Sequence, residues 1–307
     1  MLQDVVLPAY VGTAGYPTGN VGSMSNKGVE IELGYKTKLG DFDLGVSGNV
    51  SYLKNEITDL GTVDYITGAS FQSSSYEISR LQVGHPIGSF YGFEVLDIFQ
   101  SMSQVQHYVD KNGNMIQPNA KPGDFKWADL NGDGKIDAND RTFIGDPTPT
   151  WSFGFTINAA WKGLDLVLFC QGVAGNDVFN GLRRLDMPSA NWTTDALGRW
   201  HGINTSSDYP RLVLGDPNKN FSNPSTFFLT DGSYLRVKTI QLGYTLPKDL
   251  IKKFGMQSLR IYISTNNPLT FTKYKGYDPE IGGSSFGIDR GVYPQAKSFM
   301  AGLSVTF

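Results

Sequence analysis

Residues Trp151 to Gln171 read WSFGFTINAAWKGLDLVLFCQ, and the periodicity of this stretch decides the fold. Trp151, Phe153, Phe155, Ile157 and Trp161 alternate with Ser152, Gly154, Thr156 and Asn158, the period-2 pattern of a strand with one apolar and one polar face. Beyond Lys162-Gly163 the alternation resumes, with Leu164, Leu166, Leu168 and Cys170 sharing a face. Two such runs joined by two residues, the second a glycine, predict a hairpin. The polar face is small and hydrophilic, as a watery lumen requires. The apolar face ends in aromatics about ten residues apart, as in the girdles of a membrane barrel. A tilted strand of that length spans the apolar band of a bilayer.

Five more segments show the same alternation. VEIELGYKTKL sets Val29, Ile31, Leu33, Tyr35 and Leu39 against Glu30, Glu32, Gly34, Lys36 and Lys38. FDLGVSGNVSYL sets Phe42, Leu44, Val46, Val50 and Tyr52 against Asp43, Gly45, Ser47, Asn49 and Ser51. IQLGYTL, LRIYISTN and FMAGLSVTF continue it to Phe307. Strands are therefore expected near 28–39, 41–53, 150–162, 164–173, 233–246, 257–270 and 296–307. Tight turns alternate with long links near 55–149, 174–232 and 271–295, the asymmetry of a barrel with short periplasmic turns and long extracellular loops. Seven strands leave open edges, and unpaired backbone is not tolerated in lipid, so further strands are expected upstream of Met1.

Composition agrees with an all-β chain. Of 307 residues 18% are charged and 13% aromatic, with 36 glycines, against about 25% charged in an ordinary soluble domain. A net charge of -3 gives no reason to expect a nucleic-acid partner. The lone Cys170 excludes an internal disulfide and a cysteine-based zinc site. The first residues, MLQDVVLPAYVG, lack the basic and apolar regions of a signal peptide, which is expected to lie elsewhere if the protein is exported.

Several blocks resemble the SusC/RagA family, the TonB-linked outer-membrane transporters of Bacteroidetes. They are NVGSMSNKGVEIEL, GHPIGSFYGFEVLDIFQ, KPGDFKWADLNGDGKIDANDRTFIGDPTPTWSFGFT, YLRVKTIQLGYTLP and RIYISTNNPLTFTKYKGYDPE, in that order along nearly the whole chain. The resemblance implies the C-terminal part of a plugged TonB-dependent receptor barrel of about 22 strands, with Met1 internal to the full chain. Signal peptide, TonB box and plug would precede it, and Phe307 matches the carboxy-terminal aromatic of barrel assembly signals. It further implies TonB-driven import of oligosaccharides, or of peptides in some members, with a SusD-like surface lipoprotein as lid. The protein would be a multi-pass component of the bacterial outer membrane, in contact with its lipid, and not an enzyme.

Between the second and third strands lies DLNGDGKIDAND. It fits the EF-hand template with Asp129, Asn131, Asp133, the Lys135 carbonyl, Asp137 and Asp140 as ligands, Gly134 at the turn and Ile136 as apolar anchor. Position 12 is Asp rather than Glu, a shorter reach that predicts weaker binding. A structural Ca²⁺ is expected, against the plainer reading of an Asx-rich turn, and no organic cofactor. His85, His107 and His201 lie far apart without ligand spacing, and no nucleophile elbow or glycosidase-like carboxylate pair stands out. For substrate contact the loop GNDVFNGLRRLDMPSANWTTDALGRWHG offers Arg183, Arg184, Asn191, Trp192, Asp195 and Trp200, each of which could equally pack the loop or meet the lid. FQSSSYE and YGFEVLDIF are expected inside the mouth. The alternative architecture is a secreted β-sandwich with a calcium loop, binding carbohydrate or protein. It differs from a barrel in burying its apolar strand faces.

Overall fold

The computed structural model describes residues 2–4, 18–20, 22–70, 76–183, 191–281 and 286–307. Seven long strands form one antiparallel sheet: β1 (Ser23–Leu39), β2 (Phe42–Asp59), β3 (Trp151–Trp161), β4 (Leu164–Ala174), β5 (Tyr234–Thr245), β6 (Ser258–Thr272) and β7 (Ser298–Thr306). Each pairs with its neighbours in sequence, an uninterrupted meander from β1 to β7. The decisive hairpin holds register from Trp151↔Ala174 to Trp161↔Leu164, and β3 pairs as regularly with β2, from Trp151↔Tyr52 to Trp161↔Phe42. Its turn places both Lys162 (φ 47°) and Gly163 (φ 88°) in the left-handed region, the backbone of a type I′ hairpin.

The apolar faces are uncovered. Leu33 and Leu39 on β1, and Phe299 on β7, are 72%, 70% and 78% exposed, while Trp151 and Trp161 close the two ends of β3 half-exposed. A sandwich would bury this face under a second sheet, and none lies there among the described residues. The sandwich alternative is thereby excluded. No helix among the described residues is long and apolar enough to cross a membrane, which bears on helices alone.

β1 and β2 extend beyond the bounds alternation suggests, beginning at Ser23 and ending at Asp59. The extra residues, Lys54 and Glu56 among them, continue the ladder past the apolar band, where neither face must be greasy and the alternating signal fades. β6 carries the proline of TNNPLT within a strand. The register slips there, Val237↔Leu269 being followed by Thr239↔Asn266, and Asn267 takes φ 51°. A bulge tolerates a residue without N–H.

The hydrophobic core sits in the loops. Ile78 and Phe90 of the first long loop, Phe179 and Phe228 of the second and Ile288 of the third form one buried cluster. Beside it Phe93, Ile98, Phe125 and Trp127 form another, against which Ile136, Trp200 and Phe227 pack. Fully burying such a side chain is worth about 1.5–3 kcal/mol, so these connections fold as a cap rather than trailing from strand ends. Short ladders tie the cap together. Phe90–Phe93 pairs with Arg141–Gly145, and Asp177–Asn180 pairs with Leu229–Asp231 and, in parallel, with Ile288–Asp289. Ion pairs add further links. Arg211 grips Asp124 with two hydrogen bonds of 2.7 and 2.9 Å, joining the second loop to the first. Arg236 of β5, 1% exposed, binds Asp278 and Glu280 of the third.

Candidate functional site

The second and third loops enclose an open cleft of about 410 Å³. Its base is aromatic. Trp192 meets Phe221 edge-on at 4.8 Å, Tyr209 packs on Phe221 and Phe227, and Phe227 meets Phe228 at 5.0 Å. Arg183 lies flat on this base, its guanidinium carbon 3.7 Å from the Trp192 ring centre and 5.6 Å from that of Phe221. Lys275 approaches Asp195 at 3.9 Å, so one cation and one carboxylate of the wall come from different loops. Burial pushes the Tyr209 hydroxyl up to about 12, with Arg183 opposing and Asp195 adding to the shift. Tyr209 therefore presents a neutral O–H at any physiological pH. Burial also lowers Arg183, against the pull of Tyr209 and Asp216. The rings largely shield one another, so a ligand meets charged and hydroxyl groups above a packed aromatic base.

Of the loop residues singled out from sequence, Arg183 and Asp195 line the cleft, Trp192 packs behind Arg183 and Phe221 without lining it, and Asn191 stands exposed beside Trp192. Arg184 lies outside the described residues. Trp200 serves elsewhere. Its Nε1 donates to Gln100 Oε1 at 2.9 Å and its ring covers Gly123, where a Cβ would come within 2.4 Å. It wedges the second loop onto the first and is not part of the cleft. Tyr209, Phe221 and Lys275 escape a sequence reading, because nothing periodic marks them. Of FQSSSYE only Tyr76 and Glu77 are described, and Glu77 bridges Arg80 and Arg141 within the cap.

In DLNGDGKIDAND the carboxylates cap backbone amides. Asp129 accepts from Gly132 and Gly134 at 2.8 and 3.0 Å, Asp133 from Lys135, and Asp137 from Asn139. Asn131 accepts from the Asp133 amide at 2.9 Å. Asp140, fully buried, accepts from Leu130 and Asp137 at 3.0 and 2.8 Å. Among the described residues no three His, Cys, Asp or Glu side chains gather as a metal ion requires. The loop closes through its own Asx turns. Nor do the histidines converge: His85 stacks on Phe143 at 3.5 Å, and His107 and His201 bind backbone carbonyls of their own segments.

At the tight-turn end the polar strand face carries a second constellation. Asp165 of β4 and Arg260 of β6 meet across Gly243 of β5, and Tyr262 of β6 lies over Gly302 of β7.

Sequence comparison gives the context for these features. TonB-dependent receptor P3 of Formosa agariphila is 33% identical over 314 residues, 98% of this chain and 30% of its own length. TonB-dependent receptor SusC of Bacteroides thetaiotaomicron is 30% identical over 317 residues, the whole of this chain and 29% of its own length. The chain belongs to the SusC/RagA family of TonB-dependent receptors. Its seven-stranded sheet is accordingly a portion of a TonB-dependent receptor barrel, and it spans about a third of the length of the family members it matches. Among solved structures of the family, the RagAB peptide transporter superposes with a TM-score of 0.75 at 28% identity, covering all of this chain and 32% of that one. The open-open state of the RagAB peptide importer gives the same TM-score at 27% identity. No protein-family model matches the chain.

Proposed function

We propose that this chain is the barrel-and-cap segment of an outer-membrane importer of oligosaccharides or peptides. TonB drives it through parts of the receptor outside this chain, and a SusD-like surface lipoprotein covers the cap. The observation that carries the reading is the division of labour in the fold. Seven strands turn an uncovered apolar face outward, as lipid requires, while their long loops fold into a cap with a charged, aromatic-floored cleft. The family's members support import, and the RagAB structures, described as a peptide importer, support peptides as one cargo class. In this reading the protein is a transporter rather than an enzyme, which the relatives named as receptors and as a peptide transporter support. The test is uptake of fluorescent oligosaccharides and oligopeptides by cells with and without the full-length gene, in TonB-competent and TonB-deficient backgrounds. Uptake of one class that requires both genes is expected, and cargo entry indifferent to both overturns the reading.

For the acidic loop, a weakly bound structural Ca²⁺ remains our proposal, supported by four carboxylates within a dozen residues. An ion would have to draw together side chains that now cap separate amides, which argues for low affinity. A calcium-dependent rise in the melting temperature of the receptor is the expected sign.

A further inference from the structure

At the end of the sheet opposite the cap the connections are tight, as the periplasmic turns of a barrel are, with one exception. Gly40-Asp41 and Lys162-Gly163 close their hairpins directly, whereas residues 246–257 between β5 and β6 fold into a turn of α-helix, Lys248–Ile251, and a 3₁₀ turn, Lys252–Phe254. Gly255, at φ 72°, ends this run and returns the chain to β6. Ile251 is buried, and the helix rests against β6, which fixes the run to the barrel end. Leu250 and Phe254 are four positions apart in the run and fall on one side of it. They stand 61% and 73% exposed.

Two observations identify what lies against this pair. The first is continuity with the lipid-facing surface. Strand register joins Leu39, Trp161, Leu164, Tyr244, Ile261 and Leu303 into one row across the sheet, passing through Phe42, and all six are exposed. The Leu246 amide donates to the Leu259 carbonyl at 2.9 Å just past that row, and the helical run starts there. The second is charge. Lys248, Lys252 and Lys253 stand against the single carboxylate of Asp249, a surplus of two positive charges in a chain of net charge -3. All four are exposed, and none forms an ion pair among the described residues. The lysines of the other two turns are paired, Lys38 with Asp43 at 3.4 Å and Lys162 with Asp41 at 3.8 Å. Exposed apolar side chains beside unpaired lysines are the make-up of an interfacial membrane anchor, whose lysine stems reach past the acyl chains to the phosphates. An acidic protein partner would answer the lysines, but not the continuity of Leu250 and Phe254 with the lipid-facing row.

We infer that residues 246–257 anchor the turn end of the barrel in the membrane, with Leu250 and Phe254 at the acyl boundary and Lys248, Lys252 and Lys253 on the head groups of anionic phospholipids. The inference does not depend on the import reading, because the test reads lipid contact and not uptake. The full-length receptor is placed in nanodiscs of phosphatidylcholine alone and of phosphatidylcholine mixed with phosphatidylglycerol, and hydrogen exchange of this segment is followed by mass spectrometry. Exchange is expected to be roughly tenfold slower in the mixed discs, from three lysines facing an anionic surface. High salt should erase the difference. The combined variant Lys248→Gln, Lys252→Gln, Lys253→Gln should exchange at the neutral-disc rate in both. Leu250→Ser with Phe254→Ser should speed exchange in both kinds of disc. All five positions are exposed, so neither variant disturbs a core, and heat-modifiable gel mobility checks that the barrel is folded. Equal wild-type rates in the two discs overturn the inference, as does a slowing that the lysine variant retains. A slowing shared equally by the Gly40-Asp41 turn also overturns it, as a general effect of the bilayer.

Discussion

Asp165 and Arg260 bond across the backbone of Gly243, with Arg260 Nε donating to Asp165 Oδ1 at 2.9 Å. They belong to strands on either side of β5, and a Cβ at position 243 would stand 2.5 Å from both the guanidinium and the carboxylate. The glycine is what lets the pair close over the sheet. Both side chains are about a third exposed, 27% for Arg260 and 30% for Asp165, so the pair itself contributes at most about 1 kcal/mol. Gly243→Ala is expected to cost about as much as the pair itself, up to about 1 kcal/mol, because the methyl meets the mobile ends of both side chains and pushes them apart. Adding Asp165→Ala should recover part of that loss. Heat-modifiable gel mobility of the receptor reads both variants, and a double variant less stable than Gly243→Ala alone would contradict the argument.

Glu77 ties the cap's first loop to itself. It accepts from Arg80 at 2.6 Å and Arg141 at 3.1 Å, and Arg141 is almost fully buried between the Tyr76 and Tyr91 rings. Burial raises the Glu77 carboxyl, but Arg80, its own amide and Arg141 outweigh it and hold the group below its ordinary 4.5. A depressed carboxyl contributes stability present above 4.5 and lost as pH falls through the folded value. Glu77→Ala strands Arg141 and is expected to destabilise the cap by about 3 kcal/mol. Limited proteolysis of the first loop should accelerate accordingly, in wild type on acidification and in the variant at every pH.

Asp146 and Asp177 carry the opposite sign. Each lends a backbone group to the other, Asp146 N to Asp177 Oδ2 at 3.0 Å and Asp177 N to the Asp146 carbonyl at 2.6 Å. Burial raises both carboxyls, with amide donors opposing it and a neighbouring carboxylate adding to it, Asp177 for Asp146 and Asp231 for Asp177. A raised carboxyl contributes stability fully present below the ordinary 3.8 and lost as pH rises through the folded value. Asp177→Asn keeps an oxygen for the Asp146 amide and removes the charge. Hydrogen exchange at this junction between about pH 4 and pH 7 should speed up with pH in wild type beyond the intrinsic rate, and less so in the variant, where Asp146 alone still carries a raised carboxyl. An unchanged profile in the variant would show that the charge is immaterial.

The strands were legible because lipid on one side and water on the other impose strict alternation on Val29 to Leu39 or Trp151 to Trp161. That signal ends where the bilayer ends. The cap core joins Phe90, Phe179 and Ile288, one residue from each long loop, and no local pattern announces that they meet. The cleft was half legible, since Arg183, Trp192 and Asp195 fall within one aromatic, charged loop. Trp200 looks the same in sequence. Its place is set by Gly123 and Gln100, both far away in the chain.

The two tryptophans should therefore separate in experiment. Trp200→Ala removes a packed ring and a hydrogen bond, and is expected to destabilise the cap by about 3–5 kcal/mol, read as faster proteolysis between the first two loops. Trp192→Ala removes the surface under Arg183 and should weaken cargo binding with a smaller effect on proteolysis. If Trp200→Ala spares the cap but reduces binding, the ring belongs to the cargo path after all.

The acidic loop separates an amide-capping role from an ion-binding one residue by residue. Asp140 is buried and serves two backbone amides, so Asp140→Ala leaves both without acceptors, at about 1–3 kcal/mol each. That loss should be the same in Ca²⁺ and in chelator, because neither amide depends on an ion. Asp133 is exposed and accepts from the Lys135 amide and the Asn131 side chain, both open to water, so Asp133→Ala in chelator should cost no more than about 1 kcal/mol. If Ca²⁺ binds, the same substitution should also abolish any calcium-dependent rise in melting temperature. Thermal melts of wild type and both variants, each with Ca²⁺ and with chelator, distinguish the two roles. Curves for wild-type receptor that coincide in Ca²⁺ and chelator would leave the loop as a set of Asx turns and remove the ion from its account.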